Sequence, residues 1–165
     1  MAILSASVRC RENSQRIIRH PLRQTDRAHQ GQGHMPIENE VFENCAPEEI
    51  PWEDQAFVFC TFRGIRGEGL HNDASFIDCT FEQCDFYLCM FNVATLVGVT
   101  FKHCAFHGGS FAGCRLVECI FDNCSFGNDN MGGEWRADGS RWYGCSQRDC
   151  EGLDAELVPL RRLAC

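Results

Sequence analysis

A chain of 165 residues is one domain's length, and its formal net charge of −8 argues against direct binding to nucleic-acid phosphate. No run approaches the roughly 18 apolar residues of a membrane span. Thirteen cysteines would suggest a disulfide scaffold in a small secreted chain, but the count is odd and no convincing signal peptide precedes them.

Residues 1–35 read as a disordered basic tail. They carry Arg9, Arg11, Arg16, Arg19, Arg23 and Arg27 against Glu12 and Asp26, and are poor in aromatics. Attraction to nucleic acid or membrane, a transit peptide, or a natural start at Met35 would each account for them. From residue 36 the charge reverses to nine bases against twenty-one acids. Glu38, Glu40, Glu43, Glu48, Glu49, Glu53 and Asp54 follow one another with no base between them.

A period of five begins in this acidic stretch, with centres at Phe42, Pro47, Trp52, Phe57 and Phe62. Cys45, Ile50 and Cys60 stand two residues before a centre. Pro47 and Gln55 fit poorly, so this first coil is degenerate and is expected to act as a cap. The next spacing, Phe62 to Phe76, is fourteen residues rather than fifteen. Gly64 to Asp73 fills the gap with three glycines, which predicts either a bulging loop or a coil with one tightened corner.

From Phe76 to Phe126 the period is unbroken. Phe76, Phe81, Phe86, Phe91, Leu96, Phe101, Phe106, Phe111, Leu116, Phe121 and Phe126 are each five apart. A second series holds only small or β-branched residues: Ala74, Cys79, Cys84, Cys89, Ala94, Val99, Cys104, Gly109, Cys114, Cys119 and Cys124. Five is neither the helical nor the strand period, and fixed-period self-similarity marks a repeat architecture. Cysteine shares its positions with Ala, Val and Gly, so these thiols are expected to be free and buried as small hydrophobes. That implies a reducing, cytoplasmic compartment.

The alternation in Cys79-Thr80-Phe81 and Cys84-Asp85-Phe86 resembles the bacterial pentapeptide-repeat proteins, over about residues 40–130. The resemblance implies an all-β fold, a right-handed quadrilateral β-helix in which four pentapeptides make one square coil. Residues twenty apart then stack about 4.8 Å apart. The expected core columns are Phe76–Leu96–Leu116, Phe81–Phe101–Phe121, Phe86–Phe106–Phe126 and Phe91–Phe111–Met131.

Beyond Phe126 the pattern decays. Met131 keeps the register, whereas Trp135 and Trp142 fall outside it. Cys124 to Cys145 is twenty-one residues, which reads as one residue gained, and Cys145 and Cys150 suggest a final imperfect coil. Leu153, Leu157, Leu160 and Leu163 have helical spacing, so 153–165 is expected to form a short C-terminal helical cap. The expected organisation is a tail at 1–35, a β-helix at 36–152 and a capping segment at 153–165.

Little in the chain points to chemistry. There is no Cys-x-x-Cys, His103 and His107 face outward while Cys104 faces inward, and a column of parallel thiols is a poor zinc site. Inward cysteines lack the adjacent base a nucleophile needs. The expectation is a non-enzymatic protein with no catalytic residues, no cofactor and no metal.

What remains is surface. One face stacks Ile77, Val97 and Val117. A second stacks Glu82, Lys102 and Asp122, alternating in sign. A third carries Tyr87, Leu88 and His107, and the fourth is small and polar, with Asn92, Ser110, Ala112 and Gly113. An apolar ladder is either a docking strip or plain β-propensity. The reading adopted is a rigid rod that presents a face to a protein partner, with Ile77, Val97, Val117, Tyr87 and Leu88 as the candidate contact residues.

The family resemblance implies an alternative: some pentapeptide-repeat proteins protect DNA gyrase, a type II topoisomerase, by imitating duplex DNA. Residues 74–128 hold five acids against two bases, a weak imitation of a phosphate every ~1.7 Å. The resemblance also leaves open a homodimer through the C-terminal segment. A redox-sensing cysteine protein ranks last.

Overall fold

The computed structural model describes residues 35–154. A regular side of the fold is a three-residue strand whose middle residue points inward, as in Thr100–Lys102 around Phe101 and Ala105–His107 around Phe106. The following residue adopts left-handed backbone, at φ 52° for His103 and 60° for Gly108. A small buried residue completes the corner. The period of five is therefore three extended residues plus a two-residue turn. Gly, Asn and Asp recur at the left-handed position because they enter that region at least cost, as at Asn44, Asp78, Gly98 and Asn123.

Val93 is the exception with a consequence. It is β-branched and lies at φ 59°, yet its side chain is 74 % exposed and gains little from packing. Val93→Asn is expected to raise stability by about 1 kcal/mol, measured by thermal melting.

Four sides close one turn, and about five turns stack as a four-sided parallel β-helix. The first face stacks Ile37–Glu38, Ala56–Val58, Ser75–Ile77, Thr95–Val97, Arg115–Val117 and Arg141–Tyr143. The second stacks Val41–Glu43, Thr61–Arg63, Thr80–Glu82, Thr100–Lys102, Ile120–Asp122 and Ser146–Arg148. Arg66–Glu68, Asp85–Tyr87, Ala105–His107 and Ser125–Gly127 form the third. The fourth pairs His71–Asn72 with Met90–Phe91 and continues as single bridges through Ser110 to Arg136. Corners are bonded in both directions: Thr100 N–H donates to Cys79 C=O below at 2.9 Å, and His103 N–H to Asp122 C=O above at 2.9 Å.

The core is a stack of rings. Phe62, Phe81, Phe101 and Phe121 lie one above another, with centroids 4.6, 4.9 and 5.0 Å apart and nearly parallel planes. Neighbouring faces meet edge-on, as Phe101 and Phe106 do at 5.5 Å and 74°. Three of the expected columns form in register: Phe76–Leu96–Leu116, Phe81–Phe101–Phe121 and Phe86–Phe106–Phe126.

The fourth column ends differently. Met131 does not stack on Phe111 but is 95 % exposed. Asp129 Oδ1 accepts the N–H groups of Met131 and Gly133 at 2.7 and 2.8 Å, folding residues 128–135 into an extra turn with Met131 at its tip. Trp135 takes the vacated place, its ring 6.2 Å from Phe111 and 4.8 Å from Phe126. The gain here is therefore six residues, not the one suggested by the Cys124 to Cys145 spacing. Leu116 pairs with Trp142 and Phe121 with Gln147, each twenty-six residues on, so Trp142 is in register after all.

The second turn is short by one residue, Phe57 pairing with Phe76. Gly64 to Asp73 does not bulge; it supplies the third and fourth faces of this turn. Gly67 sits at a centre, and a Cβ there would lie 2.4 Å from Leu70 Cδ1, so Leu70 fills the space a Phe would occupy. The tightened corner follows Asn72, whose buried Oδ1 accepts the Ala74 N–H at 3.0 Å. That bond satisfies the donor a four-residue side would otherwise strand.

At the first turn Phe42 and Trp52 are buried, and Pro47 opens the 3-10 turn Pro47–Glu49. Trp52 Nε1 donates to Pro47 C=O at 2.8 Å. At the other end Gln147 takes a centre, and its Nε2 donates to the carbonyl of buried Leu153 at 3.3 Å. Of the expected basic tail at 1–35 and the expected helical cap at 153–165, residues 1–34 and 155–165 lie outside the described residues.

Cysteine fills the corners. Cys60, Cys79, Cys84, Cys89, Cys104, Cys114, Cys119, Cys124, Cys145 and Cys150 carry free thiols; Cys45 is not among them. Their Sγ–H groups donate to main-chain carbonyls, as Cys104 does to Lys102 at 3.3 Å and Cys124 to Phe101 at 3.5 Å. Hydrogen bonding to Cys124 and Cys84, together with burial, pushes the Cys104 thiol up from its ordinary value. Burial pushes Cys89 and Cys114 up to about 11.

At Cys89 and Cys114 the fold favours the protonated thiol. Its contribution is complete below the ordinary value of 9.0 and is lost as pH rises through about 11. The melting temperature is expected to fall across that window, and less steeply in a Cys89→Ala/Cys114→Ala double variant. An identical slope in the two proteins would show that these thiols carry no alkaline dependence.

Candidate functional site

On every strand the residues flanking the centre point outward, so each face displays two columns. The column after the centre on the first face reads Glu38, Val58, Ile77, Val97, Val117 and Tyr143, in unbroken register. Five consecutive tiers of it are apolar. Ile77 is 38 % and Tyr143 53 % exposed, while Val58, Val97 and Val117 are half-buried against their neighbours. Phe59, in left-handed backbone at the adjoining corner, is 58 % exposed and widens the strip. A bulky side chain left in water on strained backbone is the least economical choice there for folding alone.

The three residues expected from the sequence, Ile77, Val97 and Val117, are thus together, and three more extend them. Val58 and Tyr143 were missed because the ladder's spacing changes at the short second turn and again at the 128–135 insertion. The signal was present in each residue's place one after a centre, once those centres are known.

Tyr87 and Leu88 are elsewhere. They lie on the third face and its corner, separated from the first face by the core. The Tyr87 hydroxyl accepts the Asn130 N–H at 3.1 Å and so pins the inserted turn to the rod. Leu88 occupies a left-handed corner at φ 53°. The five candidates therefore form two groups rather than one site.

The second face extends the sign-alternating ladder to six tiers: Glu43, Arg63, Glu82, Lys102, Asp122 and Arg148. Arg63 bridges Glu43 at 3.5 Å and Glu82 at 3.0 Å, and Arg148 bonds Asp122. The hydrogen bond from Arg148 holds the Asp122 carboxyl below its ordinary value. Each surface pair of this sort contributes little, about 0–1 kcal/mol.

Acids do not form a continuous stripe along any described face. On the first face the other outward column runs Ala56, Ser75, Thr95, Arg115 and Arg141. The seven acids from Glu38 to Asp54 are confined to the first turn. Among the described residues no group of three or more His, Cys, Asp or Glu side chains could hold a metal ion, and no helix is long and apolar enough to cross a membrane.

No family model matches the chain, and no curated protein does. Solved structures do align. Two trypsin-treated variants of QnrB1, a plasmid-mediated fluoroquinolone resistance protein, are each 18 % identical to it. One alignment covers 76 % of this chain and 69 % of that chain with a TM-score of 0.32. The other covers 77 % and 82 % with a TM-score of 0.26.

Proposed function

We propose that this chain is a non-enzymatic interaction rod of the pentapeptide-repeat kind, whose first face docks a protein partner in the cytoplasm. The observation that carries the reading is the five-tier apolar column from Val58 to Tyr143, with Phe59 beside it. The second face, by contrast, pairs Arg63 with Glu43 and Glu82 and Arg148 with Asp122. Flat parallel strands stacked on a ring core give such a face a fixed shape, so little ordering entropy opposes docking.

A second reading rests on the seven acids of the first turn. Together with the family resemblance they support an acidic imitation of DNA directed at DNA gyrase. The test compares two variants of the full chain, Val97→Glu and Glu48→Lys/Glu53→Lys. Docking through the first face predicts that Val97→Glu loses the captured partner while its melting falls little, because the half-buried Val97 side chain points away from the ring core and outward substitutions shift stability by only about 0.5 kcal/mol. Imitation of DNA predicts that purified gyrase is bound by the parent chain and released by the lysine variant. A Val97→Glu protein that keeps every interaction would sink the first reading.

A further inference from the structure

We propose that the first face docks on the first face of a second copy of this chain, the two rods running antiparallel. The inference rests on the docking reading above and names its occupant.

The two columns of the face differ along their length. The apolar column begins at the N-terminal end with Glu38 and ends with Tyr143, while its neighbour ends in two bases, Arg115 and Arg141. The described ion pairs of the molecule lie on the second face, and none of them engages Glu38, Arg115 or Arg141. Two copies can face each other about a two-fold axis in two ways.

With the rods parallel, the columns cross over. Val97 meets Thr95, and Arg115 and Arg141 of both copies gather at one end, where like charges repel. With the rods antiparallel, each column meets itself in reverse. Ile77 then lies on Val97 of the second copy, and Val58 on Val117. Glu38 reaches Tyr143 and, beside it, Arg141. Apolar tiers cover apolar tiers, and Glu38 of each copy meets the basic end of the other beside Arg141. Only the antiparallel arrangement is self-complementary in shape and in sign.

Sedimentation of the full chain at about 100 µM should show a dimer that dissociates on dilution. Val97→Glu should weaken it by about tenfold or more, by placing a desolvated charge at its centre. Glu38→Lys and Arg141→Glu should each weaken it, and the double variant should recover most of the parental association, as reversed charges pair again. Melting of the dilute monomers reports that each variant is folded.

A parental chain that stays monomeric overturns the self-docking, while the partner capture described above still stands or falls by its own measurement. A dimer indifferent to Val97→Glu overturns the choice of face. Charge reversals that weaken the dimer without mutual rescue overturn the antiparallel arrangement.

Discussion

Phe101→Ala is expected to lower the stability of the fold by about 3–5 kcal/mol, whereas Phe59→Ala should cost well under 1 kcal/mol. Both remove the same atoms. Phe101 is fully buried between Phe81 and Phe121, at 4.9 and 5.0 Å, and touches Phe106 and Phe111 edge-on. Its loss opens a cavity between two tiers that the backbone ladders prevent from collapsing. Phe59 stands in solvent at a corner that prefers a smaller residue. Chemical denaturation of the two variants measures the difference, and equal losses would mean that the ring column is not the source of stability.

Gly109→Val is the second large effect. Gly109 takes a small, buried position one tier above Cys89. A Cβ built on it would lie 2.3 Å from the Cys89 carbonyl oxygen and 3.3 Å from its carbonyl carbon and nitrogen. These are backbone atoms, and that oxygen already accepts the Ser110 N–H at 3.0 Å. The tiers must part or the bond must break, at a cost of about 3 kcal/mol. Cys89→Val, one tier down in the same corner, should shift stability by less than about 1.5 kcal/mol. A comparable melting change in both variants would show that the corner tolerates bulk at either tier.

The middle of the rod was legible because its two inward positions recur without interruption. From Phe76 to Phe126 each centre lands where the spacing puts it. The tightened corner at Asn72 was one of two readings of a fourteen-residue gap, and the carboxamide bond to Ala74 is what selects it. The inserted turn was not legible. Residues 128–134 include no buried centre to mark them, so Met131 kept the count by coincidence, and Cys145 was matched to Cys124 instead of to Cys119. The same two offsets hid Val58 and Tyr143 from the apolar column. Tyr87 and Leu88 were assigned to surface correctly, but their task of holding Asn130 and turning a corner depends on contacts that spacing does not encode.

The charge ladder of the second face constrains how such a rod can lengthen. Its sign repeats every two tiers, whereas its core repeats every tier. Duplicating a single twenty-residue tier around Lys102 would keep every ring column intact and yet set two lysines directly opposite each other on adjacent strands, a destabilising pairing. Duplicating forty residues, the two whole tiers that carry Glu82 and Lys102, would preserve both patterns. Growth of this chain by tandem duplication is thus favoured in double tiers, with single-tier additions tolerated only where a later substitution restores the alternation.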